Sequence, residues 1–220
     1  TFQLTTTDGT NYSAADTVTI TIRAGNITIS VPADYSTIQE GIDAAINGDT
    51  VQVAAGTYSG NIVLKNGVKL IGAGRDVTTL TAASGTVVYV PADSDPSTKI
   101  EGFTIDGSGA ASTGIFIDKN SARTINNNTV QNSASYGIYC DYNSKPTITN
   151  NNILNNHYNG IYCEHAAPTI SNNTISNNQY YGIWANASSP LITGNTITNN
   201  DSGIYMVSDS RGTIIGNQIV

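Results

Sequence analysis

Three carboxylates recur at one place in a repeating pattern: Asp118 in "FID", Asp141 in "YCD" and Glu164 in "YCE", 23 residues apart and each two residues after an aromatic. Carboxylates at a fixed period could do acid–base work on a sugar, since a glycosidase pair needs a separation of roughly 5–9 Å. Asp141 and Glu164 could instead hold calcium, a hard cation that takes oxygen ligands. Stacked on one another they would repel, so at least one of the three is expected to have a raised pKa unless a cation binds. A solvated acidic edge is the plainer reading.

The aromatic residues beside them belong to a longer column. Tyr89, Phe116, Tyr139, Tyr162, Trp184 and Tyr205 stand third in "VVYV", "GIFI", "GIYC", "GIYC", "GIWA" and "GIYM". From Gly137 the glycines step by 23, 22 and 21 residues to Gly160, Gly182 and Gly203. A period of twenty-odd residues signals stacked structural units. If the isoleucine of each block points inward on a strand, so does the residue two further on (Ile117, Cys140, Cys163, Ala185, Met206). The aromatic between them then faces out, and the acidic residue after it also faces out. Strands of adjacent units lie about 4.8 Å apart, so the rings are expected to form one exposed ladder. Stacking that stabilises the sheet is one reason for such a ladder. A platform for a polysaccharide or surface glycan is the other.

A second block precedes each glycine: "TINNNTVQN", "TITNNNILN", "TISNNTISN" and "LITGNTITN", with "TIIGNQIV" at the end. It reads T-I-x-x-N-x-I-x-x-N, and its apolar residues alternate with polar ones as in a strand with one buried face. Upstream, "KIEGFTIDG" and "VKLIGAG" are weaker copies. Short strands separated by Asn and Gly, with no helical stretch between them, predict an all-β parallel solenoid of six to seven coils over Val51–Val220. Asn128, Asn151, Asn173, Asn195 and Asn217 fall at one position of the block and are expected to form an inward structural ladder that satisfies backbone groups at a bend. Cys140 and Cys163 occupy equivalent core sites and read as buried free thiols, because parallel Cβ vectors are awkward to bridge.

These coils resemble the right-handed parallel β-helix repeats of the pectin-lyase-like superfamily. "STIQEGIDAAINGDTVQVAAGTY" resembles that superfamily's N-terminal cap and first coil. The resemblance covers residues 31–220 and implies a helix over 36–47, with Ile38, Ile42, Ala45 and Ile46 on its apolar face, Thr37 and Glu40 as a capping box, and Gly48 ending it. It implies little about activity, since one fold hosts many functions. The catalytic patterns of its enzymes are not matched. "GTYSG" lacks the Glu of pectin methylesterases, and neither the paired Asp of polygalacturonases nor the Asp-Pro-His of mannuronan epimerases is present. Lys119, Arg123 and Lys145 are the nearest basic residues for a lyase. His157 and His165 read as solvated loop residues, "GAGR" as a coil turn, and "DSDPS" as an Asp/Pro turn with calcium as the lesser reading.

Residues 1–30 read differently. "TFQLTTTDGTNYSAADTVTITI" offers two alternating strands resembling the last strands of an immunoglobulin-like or PKD-like sandwich, followed by a linker. Two strands are marginal alone. The chain also stops in mid-coil, so a neighbouring domain or head-to-tail, filament-forming self-association is expected to cover both ends.

The whole chain sets outer bounds. It has 220 residues, 11% of them charged, and a net charge of −7, which disfavours nucleic acid as a partner. No run approaches the ~20 apolar residues of a membrane span. Rich use of Asn, Thr, Ser and Gly suits a secreted or cell-surface β protein, and a start at Thr1 suits a processed or excised piece. The leading reading is an extracellular, non-catalytic structural or adhesive module whose aromatic–acidic face binds carbohydrate. The alternative is a polysaccharide lyase or glycoside hydrolase working through Asp118, Asp141 and Glu164, and a plain spacer comes third. No cofactor is expected beyond the calcium already considered.

Overall fold

In the computed structural model, residues 2–4, 9–10, 16–18, 25–93 and 96–220 are described. Phe2–Leu4 and Asp16–Val18 form an antiparallel pair. The remainder of the expected sandwich segment before residue 25, and part of "DSDPS", lie outside the described residues.

From Thr28 onward the chain is a parallel solenoid with three sheets. The first has nine strands, from Thr28–Val31 to Thr213–Ile215; the second has eight, from Gly56–Ser59 to Gln218–Ile219. The third has seven: Ile62–Val63, Thr86–Val90, Thr113–Ile117, Tyr136–Cys140, Ile161–Glu164, Tyr181–Asn186 and Ser202–Val207. Equivalent residues pair in register, as in Ile125 with Ile148 and Ile148 with Ile170. The expected six to seven coils are therefore too few, and the solenoid has about nine turns. The earliest coils lack the Gly-Ile block, and the first strand, Thr28–Val31, begins before the expected start at residue 31.

The alternation in sequence becomes alternation in space. Ile115, Ile138, Ile161 and Ile183 are fully buried, as are Ile117, Cys140, Cys163 and Ala185 on the same strands. Each buried isoleucine contributes about 1.5–3 kcal/mol by leaving water. The helix runs over Ile38–Ala44, shorter than 36–47, with Thr37 as N-cap and a complete Thr37–Glu40 capping box. Ala45 leaves the helix with extended backbone, so the helix ends before Gly48 and Ile46, expected on its apolar face, is exposed instead. Ile38 and Ile42 close the apolar end of the solenoid.

The asparagine-rich bends have two separate causes. Asn127, Asn150 and Asn172 take left-handed backbone at one corner, where Gly102, Gly194 and Gly216 stand in other coils. Only Gly, and to a lesser degree Asn, visits that region cheaply. The next residue builds the ladder. The backbone N–H of Phe103, Asn128, Asn151, Asn173 and Asn195 donates to the side-chain oxygen of Asn128, Asn151, Asn173, Asn195 and Asn217 in turn, at 2.9–3.1 Å. Each Nδ2 donates back to a carbonyl one coil earlier, such as Asn151 to Ile125 at 2.9 Å. Asn217, in the last coil, is only half-buried.

Candidate functional site

The third sheet carries the predicted column in register: Tyr89 beside Phe116, Phe116 beside Tyr139, Tyr139 beside Tyr162, Tyr162 beside Trp184, and Trp184 beside Tyr205. All six point away from the core, while the residues on either side of each ring in the central coils are buried. The ladder is less open than expected. Its members are half-buried except Tyr205, which is 42% exposed. The rings cover one another: Phe116 stacks on Tyr139 at 4.9 Å and Tyr139 on Tyr162 at 5.0 Å, with planes 28° and 12° apart.

The site is also wider than the sequence pattern indicates. Tyr136 stacks on both Tyr139 and Tyr162, at 5.6 and 5.0 Å. Tyr181 stacks on Tyr205 at 4.7 Å, and Tyr158 meets Tyr180 at 4.4 Å. These four tyrosines lie one or two residues before the repeat glycine, in "SYG", "HYNG" and "QYYG". Alignment on the Gly-Ile block alone passes over them. Ten rings thus form one continuous patch.

Trp184 breaks the stack. Its plane is turned 78° from Tyr162 and 70° from Tyr205, so it meets its neighbours edge to face. Tyr181 also meets the indole edge to face, at 5.4 Å with planes 61° apart, so Trp184 stands across the stack rather than in it.

Asp118, Asp141 and Glu164 follow the rings on the same side of the sheet, half-buried. Two are tied to the ladder: Tyr89 donates its hydroxyl to Asp118, and Tyr162 donates to Glu164. Glu164 also accepts from Asn186 Nδ2 at 3.0 Å and pairs with His165 Nδ1 at 3.0 Å. Among the described residues Asp141 has neither a hydrogen-bonded nor an ionic side-chain partner. Burial alone would raise the Glu164 carboxyl, but the bonds from Tyr162 and Asn186 and the imidazole of His165 outweigh it, and the group lies below the usual range. The shift at Glu164 thus opposes the upward shift expected within the trio. The tyrosines move the other way. Burial, with Asp141 and Glu164 nearby, pushes Tyr139 up to about 12, and burial plus the Glu164 bond raises Tyr162 further.

Of the basic residues, Arg123 is enclosed in the coil rather than on a loop surface, whereas Lys119 and Lys145 are exposed. His157 is exposed, and His165 is drawn into the Glu164 cluster. Cys140 and Cys163 are free and fully buried side by side. A mutual hydrogen bond and burial push the Cys140 thiol well above its ordinary range.

Solved structures share this architecture. The A-module of the mannuronan C-5 epimerase AlgE6 from Azotobacter vinelandii matches with a TM-score of 0.58 and 19% identity over 74% of this chain and 54% of that one. The Dettilon tailspike protein matches with 0.60 and 17% over 86% and 50%. Pectin methylesterase from carrot matches with 0.53 and 17% over 91% and 72%. The chain spans about half the length of the first two. Identities this low establish the fold: a right-handed parallel β-helix. Among curated protein sequences none matches. The chain belongs to the NosD family, whose profile, described as periplasmic copper-binding protein (NosD), matches residues 42–220.

The donors among the described residues do not make a copper site of three or more ligands. Among the described residues no three of His, Cys, Asp or Glu converge on one point. The two cysteines lie in an apolar core, with at least Cys140 held as the thiol, whereas soft-metal sites use thiolates.

Proposed function

We propose that the chain is an exported, non-catalytic β-helix module of a surface or filament-forming protein, and that it holds a polysaccharide or surface glycan along its aromatic–acidic face. One observation carries this reading: a continuous patch of ten rings bordered by the carboxylates Asp118, Asp141 and Glu164. A sugar presents apolar C–H faces and a rim of hydroxyls. The aromatic patch offers apolar ring surface to the first, and tyrosine hydroxyls and carboxylates offer partners to the second. A contiguous aromatic patch in which Tyr158, Tyr180 and Tyr205 are exposed and the other seven rings half-buried is the kind of surface that marks a binding role. The periplasmic description of the family supports a location outside the cytoplasm. The segment before Thr28 reads as a separate sandwich-like unit, and residues 28–220 as the β-helix, since Thr28–Val31 pairs with Thr50–Val53. A neighbouring domain or a head-to-tail contact would cover Ile214, Ile215 and Ile219, which are exposed; light scattering reads that association.

A glycan array, followed by titration of the positives, tests the central claim. Trp184→Ala should weaken binding about tenfold or more while costing about 1–3 kcal/mol of stability through lost ring contacts. Unchanged binding beside a large stability loss would make the ladder purely structural.

The Tyr162–Glu164–His165 cluster gives the enzyme reading its best support, since a carboxylate that orients an imidazole is a recurring acid–base device. A glycosidase acid, however, needs a raised carboxyl pKa, and that of Glu164 is lowered. Reducing-end and unsaturated-product assays are expected to be negative. Cleavage that disappears in Glu164→Gln would replace the binding module with a lyase or hydrolase.

A further inference from the structure

Resting on the glycan-binding reading above, we propose that the ligand is a cationic amino-sugar polymer, extended along the solenoid axis with one sugar per coil. Asp118, Asp141 and Glu164 lie on three successive in-register coils. The rise between them is about 4.8 Å, close to the length of one hexopyranose in an extended β-linked chain. Each carboxylate stands two residues along the strand from a ring, about 6.6 Å away on the same face. A sugar lying on one coil of the aromatic column thus places a ring substituent over the carboxylate of that coil.

The charge of this column selects among sugars. Glu164 is held in its ionised form by the donors around it. Neither Asp118 nor Asp141 is in an ion pair among the described residues, and Asp141 has a carboxylate one coil away on either side. A uronate polymer would add one more negative charge per coil to a chain already at −7. A polymer of free amino sugars would bring ammonium groups instead, one facing the column every second coil because successive β-1,4-linked sugars are flipped, and attraction between opposite charges at this distance is favourable even near a wet surface.

A second observation points to a ligand at the same place. Asn159 lies between Tyr136 and Tyr181 in the column beside the ladder, accepting from the Tyr181 N–H at 3.2 Å. It is fully buried, and its Nδ2 has no acceptor among the described residues. Trp184 Nε1, in the same patch, is also without one. Two buried donors without acceptors are costly, and because neither atom is open to the surface, a sugar hydroxyl or ring oxygen would reach them only with a movement of the neighbouring rings.

The test is calorimetric titration of the whole chain with three hexamers: β-1,4-linked glucosamine, its N-acetylated counterpart, and β-1,4-linked mannuronate. Glucosamine hexamer should bind about tenfold tighter than the acetylated form, and mannuronate should not bind measurably. Added salt should narrow that preference. Asp141→Asn, with Asp118→Asn as a second variant should the first fold poorly, should cut it about three- to tenfold. Equal affinity for the two glucosamine forms, or binding of mannuronate as tight as theirs, would overturn the charge selection and leave a glycan face standing. Spermine binding as tightly as the hexamer would also overturn it, by showing attraction to charge without recognition of sugar. If none of the three hexamers binds, the glycan reading itself falls.

Discussion

Asn151 shows what a single amide holds in this fold. Its oxygen accepts from the backbone of Asn128, and its nitrogen donates to Ile125 and Thr149 carbonyls and to Asn173. Asn151→Ala strands buried groups on two coils and should cost about 2–4 kcal/mol in urea unfolding. Asn217→Ala, at a half-buried position, should cost less. The titrating side chains give predictions of opposite sign. The carboxyl of Glu164 is lowered on folding, so its contribution is present above the unfolded pKa and lost as pH falls through the folded one. The fall in melting temperature across the acid range should therefore be shallower in Glu164→Gln than in wild type. Tyr139 and Tyr162 are raised, so their contribution is intact below about pH 10 and lost as pH rises toward 12 and beyond. Ultraviolet titration of phenolate should show late-ionising tyrosines, two fewer of them in Tyr139→Phe/Tyr162→Phe. At this scale the sequence was informative about the inward ladder, because Asn at a fixed phase has few other uses. The final Asn of the repeat had no assigned role, yet Asn156, Asn178 and Asn200 form a second ladder: Asn156 and Asn178 oxygens accept from Ser133 and Asn156 backbone at 3.0 and 3.1 Å. Which corner each Asn serves depends on coil geometry that a linear pattern does not display.

Strand packing explains the glycine that opens each Gly-Ile block. A Cβ on Gly160 would sit 2.7 Å from the Gly182 carbonyl oxygen, 2.7 Å from Ile175 Cγ2 and 2.8 Å from Asn178 Nδ2. Gly137 meets the Gly160 carbonyl oxygen in the same way at 2.6 Å. The requirement is close approach between coils, with no left-handed backbone involved. Gly160→Ala should destabilise by about 1–3 kcal/mol or more, read as a lower urea midpoint with the solenoid retained. Inward and outward faces were legible from period-two alternation alone, since a slip of one residue would exchange every side chain. The coil count was less legible, because the strands Thr28–Val31 and Gly56–Ser59 carry neither repeat block. Ring exposure was misjudged for a physical reason: outward-pointing aromatics one coil apart bury each other. The flanking Tyr136, Tyr158, Tyr180 and Tyr181 join the patch because the strand or loop before each glycine lies beside the ladder.

A solenoid meets only its neighbours, so stability is distributed along it rather than held in one centre. Amide exchange should be slowest where both adjacent coils are present and the ladders are fully buried, around Asn128 to Asn195, and fastest at residues 213–220, whose side chains are largely exposed. Uniform protection from end to end would argue for an all-or-none unit instead. The same linear order has an optical consequence. The chain holds one tryptophan among 12 tyrosines, and that tryptophan lies within a continuous run of rings. Light absorbed by the ladder tyrosines is within easy transfer range of Trp184, so the folded chain should emit chiefly as indole even when tyrosine is excited. Uncoiling separates donors from acceptor and should restore phenol emission. A member of the proposed sugar-binding face is thus also the sink of the antenna, and a molecule settling on that face would change the colour and yield of the protein's own fluorescence with no label attached.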